Sequence, residues 1–270
     1  MLDDLRKSGF PLEIQVGSRF SNKGWSVRHQ AISRGEGELK PRYIDIVATK
    51  LIEGNFGRFN RLNFTIVCEC KKSEAMPWVF YSPPEHLIKE VAAVTFLKTL
   101  SEPPLELTDL SLLAKSHFLN REPMDRFAQT SHLAFWKENQ NPTRKQNRTE
   151  YNQINGAISQ VLNATDHQIR MLKQIIKLVP GILMVICPLI VLDGSMFEYD
   201  LATDGEPNLR PTTYVKYLAA SIHPETKLVL PNNQSVMTSY TEDYLIDIVT
   251  TSSLTEYIGW LEEDMRLITS

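Results

Sequence analysis

The chain has 270 residues, 42% of them hydrophobic, with 29 Lys and Arg against 32 Asp and Glu and a formal net charge of −3. That is enough chain for a sizeable core in one large α/β domain, and the mildly acidic balance argues against a protein that coats nucleic acid without specificity. The longest apolar run, Ile182 to Leu192, is interrupted by Pro188 and falls well short of the roughly 20 residues that span a bilayer, while the charged start Met1-Leu2-Asp3-Asp4 predicts no secretory leader and a cytoplasmic location.

In chain order, Pro11 and Gly24 bracket a first helix whose buried stripe is Leu12, Val16 and Phe20, with Glu13 near its start. Strands are predicted at Trp25 to Ala31, Tyr43 to Leu51 and Phe64 to Lys71, separated by turns holding Gly35, Gly37, Gly54 and Gly57. From Pro83 the period turns helical through Leu87, Val91 and Val94, with further helical pieces at Leu107 to Phe118 and Met124 to Trp136. A polar loop at Asn139 to Thr149 precedes a long helix or helix pair from Tyr151 to Leu178, with a break expected near Asn163 to Asp166. Asp193-Gly194 between apolar runs predicts a hairpin joining Ile182 to Leu192 with Met196 to Tyr199. Strands at Tyr214 to Ile222 and Tyr244 to Val249 follow. The box Ser253-Leu254-Thr255-Glu256 opens a closing helix with apolar Leu254, Tyr257, Ile258, Leu261, Met265 and Ile268.

The chemically informative residues lie on the second and third strands. Side chains alternate along a strand, so Glu69 and Lys71 share a face and Cys68 and Cys70 take the other; pairing of the two strands brings Asp45 to the charged pair. Two carboxylates in an apolar sheet repel and lose hydration unless a cation or hydrogen-bond donors offset the cost. The chemistry this suggests is magnesium-assisted hydrolysis of a phosphodiester.

The order of these features, Glu13 on the opening helix, Asp45 on one strand and Glu69-Cys70-Lys71 ending the next, resembles the PD-(D/E)xK nuclease superfamily over about the first 80 residues. Ile44 stands where that family's name-giving proline would be. The resemblance implies a restriction endonuclease-like core, a central mixed β-sheet flanked by helices. It implies a Mg²⁺ site, with Mn²⁺ able to substitute, held by Asp45, Glu69 and the Cys70 carbonyl with help from Glu13, and it makes Lys71 the group that orients the attacking water. We therefore expect one domain over residues 1–270 with a helical insertion at 83–178. The expected activity is Mg²⁺-dependent endonucleolytic cleavage of DNA, in restriction, phage defence or repair. A homodimer is left open and no membrane partner is expected.

For the phosphate backbone, the candidate contacts are Lys72, Arg58 and Arg61 of the hairpin, and Arg144, Lys145 and Arg148 of the polar loop. Gln153 and Gln160 are weighed as cleft-lining against packing at the core edge. Glu262-Glu263-Asp264 reads as a solvated helix face, the six histidines lack ligand spacing, and Cys68, Cys70 and Cys187 read as small core residues. No G-x-S-x-G, H-E-x-x-H or Walker pattern occurs. The rival readings are a catalytically silent binding or scaffold protein of the same fold, and a small-molecule metal-dependent hydrolase.

Overall fold

A computed structural model describes residues 9–33, 42–81, 98–105, 127–128, 130–133, 144–201, 207–229 and 235–269. The opening helix, α1 (Phe10–Asn22), has its proline in the first turn and buries Leu12, Val16 and Phe20 as their i, i+4, i+8 spacing predicts. It leads into a meander of β1 (Ser26–Ser33), β2 (Arg42–Phe56) and β3 (Phe59–Tyr81), paired antiparallel. After β4 (Lys98–Glu102), β5 (Phe127–Ala128) and β6 (Thr130–Leu133) comes a long helix, α2 (Arg144–Ile176). The chain then forms β7 (Ile182–Leu201), β8 (Pro207–Thr212), β9 (Tyr214–Val229), β10 (Ser235–Thr250) and the closing helix α3 (Leu254–Thr269).

All ten described strands join one mixed sheet in the order β1-β2-β3-β7-β10-β9-β5, with β4 and β8 on β7 and β6 on β3. β7 lies parallel to both β3 and β10. This explains its near-continuous apolar run, because a parallel strand at the centre of a sheet is covered on both faces. On one face, Ile46, Ala48, Cys68, Cys70 and Cys187 pack with α1 and α3; on the other, Val47, Val67, Ile190 and Leu192 pack with Ile154, Ile158 and Val161 of α2. The protein is thus α/β, with a large mixed sheet flanked by helices. Among the described residues no helix is long and apolar enough to cross a membrane.

Several local expectations are corrected. Asp193-Gly194 makes no hairpin: β7 runs straight through it, and the absent side chain serves close packing, since a Cβ on Gly194 would lie 2.6 Å from the Ser73 carbonyl of β3. β3 does not end at Lys71 but continues to Tyr81 after a register shift between Ser73 and Trp78, burying Trp78 and Phe80. The Tyr151–Leu178 helix is a single element with no break at Asn163 to Asp166, and it begins at Arg144 inside the expected polar loop. Within the expected helical insertion, β4 and β6 instead add strands to the sheet, so helical periodicity at Met124 to Trp136 misread short edge strands. The helical pieces expected at 83–97 and 107–118 lie outside the described residues.

The apolar set expected on α3 is buried as anticipated, but Asp264 is buried with it, at 1% exposure. It faces a charged cluster that the linear sequence does not reveal. Lys216 on β9 and Asp247 on β10 are cross-strand partners and are both buried. Asp247 accepts hydrogen bonds from the Tyr214 hydroxyl at 2.5 Å and the Tyr257 hydroxyl at 2.8 Å. Burial pushes the Lys216 ammonium pKa down, while Asp247, Asp264 and Cys187 oppose that shift. The Asp247 carboxyl is pushed up by burial, with Lys216 and the two tyrosines opposing. The cluster ties α3 to the sheet through polar groups that match only in one register. Removing one partner of such a pair strands the other charge, so Asp247→Ala should cost about 3–5 kcal/mol of unfolding free energy in urea titrations. Adding Lys216→Met to that variant should recover part of the loss; a second decrease of similar size would contradict the pairing.

Candidate functional site

The charged residues of the first half of the chain converge where β2 loses regularity. The β2–β3 ladder reaches Ile46 paired with Cys68 and stops one residue short of Asp45. On the other side Gln30, at φ 48°, lies across from Asp45 and interrupts β1. Ile44 and Ile46, which a regular strand would place on one face, belong to opposite core faces. At this irregular point the side chain replaces main-chain pairing: Asp45 Oδ2 accepts the Cys70 N–H at 2.7 Å.

Glu69 lies one residue earlier on β3, in the middle of the sheet rather than at a strand end emerging into water, and is 2% exposed. Its Oε1 receives Lys71 Nζ at 2.5 Å, an i, i+2 contact on one face of the strand. Lys71 Nζ also donates to Gln160 Oε1 of α2 at 3.0 Å. The long helix therefore covers the charged face of β3 and supplies an amide to hold the lysine. Glu69 Oε2 is buried with no hydrogen-bond partner, and so is Glu13 Oε2.

Electrostatics link all four groups. Burial, then Asp45, push the Glu69 carboxyl up to about 7, with Glu13 adding to the rise and Lys71 opposing it. Asp45 is raised by burial, against the Cys70 N–H and Lys71. Glu13 is raised by burial and by Asp45, with Lys71 opposing. Glu13, on α1, thus feels the charges of Asp45 and Lys71. α1 passes close over β1, where a Cβ on Gly17 would meet the His29 ring.

The structure therefore brings together Glu13, Asp45, Glu69 and Lys71. Cys70 contributes its N–H to Asp45 and directs its thiol into the core on the opposite face, with Cys68. Among the described residues no group of three His, Cys, Asp or Glu is spaced to hold a metal ion. The donors present are nonetheless hard oxygens, and the two orphaned carboxylate atoms suit a cation such as Mg²⁺, which needs only one or two carboxylates.

The expected phosphate contacts fare differently. Arg61 lies eight residues before Glu69 on the same strand and Arg58 lies in the turn before it, which places them ~25–35 Å from the site at strand rise. Arg58 donates to the Pro104 carbonyl at 2.8 Å and Arg61 pairs with Glu53 at 3.5 Å. Both lie at the far end of the hairpin from Glu69. Lys72 is adjacent to the site and lies across from Asp193 of β7. Arg144, Lys145 and Arg148 fall on the first turns of α2, not in a loop, and their side chains lie outside those described. Gln160, weighed as cleft-lining against core-edge packing, accepts a hydrogen bond from Lys71 beside Glu69. Its signal in the sequence was only a polar residue among the apolar positions of the helix, which does not reveal the strand it meets.

The Glu69 shift has a measurable consequence. A carboxyl that binds its proton more tightly when folded contributes stability that is fully present below the unfolded value of 4.5 and is lost as pH rises through about 7. The loss amounts to roughly 3 kcal/mol. Urea unfolding between those limits should show wild type losing stability as pH rises, and Glu69→Gln losing less by about that amount. Parallel pH curves for the two proteins would contradict the assignment. No protein-family model, curated protein or solved structure matches the chain, so what the site does is argued from its own geometry.

Proposed function

We propose that the chain is a Mg²⁺-dependent endonuclease that hydrolyses phosphodiester bonds in DNA, built on a restriction endonuclease-like core. The observation that carries this reading is Glu69: a carboxylate in mid-sheet beside Asp45 and Lys71, with one oxygen left without a partner. Such an arrangement is costly for stability alone. Opposed charges at this density, with raised carboxyl pKa values, are the pattern expected where a fold holds groups for chemistry. The element order supports the core assignment, with Glu13 on a helix, Asp45 and Glu69 on adjoining antiparallel strands, and β7 parallel to the strand that carries Glu69.

In this reading Asp45 and Glu69 hold the cation, and Glu13 assists. Bound Mg²⁺ supplies charge stabilisation at the phosphoryl oxygens and a more acidic water. Lys71 lies within hydrogen-bond reach of Glu69 and is positioned to hold a water against the phosphorus or to donate to a phosphate oxygen. Gln160 limits where its ammonium can go. The Cys70 N–H keeps one Asp45 oxygen oriented and leaves the other available. The covered apolar sheet on either side excludes water and strengthens each of these interactions.

One observation favours the rival reading of a catalytically silent binding protein: Lys71 closes onto Glu69 at 2.5 Å and neutralises it without a cation. Incubation of supercoiled plasmid with Mg²⁺ or Mn²⁺ separates the two. The nuclease reading expects nicked or linear product, with Asp45→Ala and Lys71→Ala each lowering the rate by about 100-fold or more. Cleavage that persists in both variants, or a wild-type protein that neither cuts nor binds Mg²⁺ by calorimetry, would reject it. Gln160→Ala should lower kcat more than it raises KM, because the amide acts on Lys71 and not on substrate binding; an effect on KM alone would place Gln160 outside the reaction.

A further inference from the structure

β1 and β2 break their alternation at the same step. On β1, Val27 packs with the core on the α1 side and the His29 ring meets Gly17 of that helix, whereas Ala31 packs with the core under α2. Regular alternation would put all three on one side. On β2 the same inversion separates Ile46, on the α1 side, from Ile44, under α2. The ladder keeps one register across the break, from His29 with Ile46 to Ala31 with Ile44, so no residue is inserted and the two strands rotate together. The step missing from the ladder is Gln30 facing Asp45. Among the described residues Gln30 is the one residue other than glycine at positive φ, 48°. That region is unfavourable for most L residues and is met chiefly in Gly, Asn and Asp. Gln30 is exposed, so burial of its own side chain does not hold it there.

Resting on the nuclease reading above, we propose that Gln30 is a positioning residue for the cation: its left-handed backbone holds the joint rotation of β1 and β2 that takes Asp45 out of the ladder and sets its carboxylate beside Glu69. Gln30, Asp45 and Glu69 occupy one row across three strands, as the flanking pairs His29 with Ile46 and Ile46 with Cys68 fix. At the middle of that row the β2–β3 ladder stops, and Asp45 Oδ2 takes the Cys70 N–H in place of main-chain pairing. A β1 kept extended through residue 30 would carry the ladder on through Asp45 and return that carboxylate to ordinary alternation. A conformation that costs energy persists where its surroundings impose it, and such outliers gather where a fold aims side chains for chemistry. In this assignment the φ of Gln30 acts and its amide does not.

The test separates backbone from side chain with variants of the full chain, since Gly and Asn accept the left-handed region and a β-branched residue resists it. By calorimetry, Gln30→Val should bind Mg²⁺ about tenfold more weakly than wild type, and Gln30→Gly and Gln30→Asn within about twofold of it. Plasmid cleavage by Gln30→Val should fall at limiting Mg²⁺ and recover as the ion is raised. In the metal-free protein, amide hydrogen exchange at Cys70 should be about tenfold faster in Gln30→Val and unchanged in Gln30→Gly. A folded Gln30→Val that matches wild type in Mg²⁺ affinity or in Cys70 exchange, even with a lower urea midpoint, overturns the proposal and leaves the nuclease reading standing. Equal losses in Gln30→Val and Gln30→Gly would give the role to the amide and overturn it as well. Should Gln30→Val not fold, Gln30→Thr, β-branched but polar, takes its place with the same expectations. Wild type that binds Mg²⁺ without cutting plasmid, with the expected order of affinities among the variants, upholds the positioning and rejects the nuclease. Wild type that neither binds nor cuts rejects both.

Discussion

The burial of Glu69 sets the terms for everything around it. A carboxylate removed from water in mid-sheet is tolerated only because Lys71 reaches back to it along the same strand face and Gln160 steadies that lysine from α2. Asp45 is held near by a main-chain N–H of the strand that bears Glu69. Its negative charge raises the cost again, and the Glu69 carboxyl responds by holding its proton to about pH 7. The charges in this group are balanced on a margin that a proton, a cation or a phosphate can tip.

The sheet makes this possible by separating two functions on one strand. Cys68 and Cys70 project into the layer formed with α1 and α3, while Glu69 and Lys71 project toward α2. Alternation lets a single segment contribute both to a dry core and to a charged site. The strand stays rigid because it is paired along most of its length with β2 and β7. The irregular point at Asp45 and Gln30 then turns one carboxylate out of the ladder and toward the charged face. Such irregularities re-aim side chains without dismantling the surrounding pairing.

A second buried charge cluster, Lys216 with Asp247 and Asp264, has a different character. Its members are buried, and Tyr214 and Tyr257 occupy both oxygens of Asp247. The tyrosine rings also stack on each other, 6.1 Å apart between centroids. The two tyrosine hydrogen bonds to Asp247 favour one packing of α3 on the sheet, and that helix forms the layer against which α1, and with it Glu13, is set. Arg19 of α1 donates to the Thr251 carbonyl at the turn leading into α3, which joins the two helices directly. One charged cluster thus lies between α3 and the sheet, and the other lies on the face of the sheet covered by α2.

Periodicity by itself determined the opening helix, the meander of strands, the apolar face of the closing helix and the shared face of Glu69 and Lys71. Each of these follows from spacings of two or of three to four residues, which are local properties of the chain. Tertiary structure alone decided that β7 passes through Asp193-Gly194 without turning, because the glycine answers to Ser73 on a neighbouring strand. It also placed Arg58 and Arg61 far from the site, brought Gln160 to Lys71 across 89 positions, and buried Asp264 among groups from β9 and β10. In each case the partner is distant in sequence. A side chain's local pattern records which face it occupies, whereas the charge or carbonyl waiting on that face is set by how the layers stack.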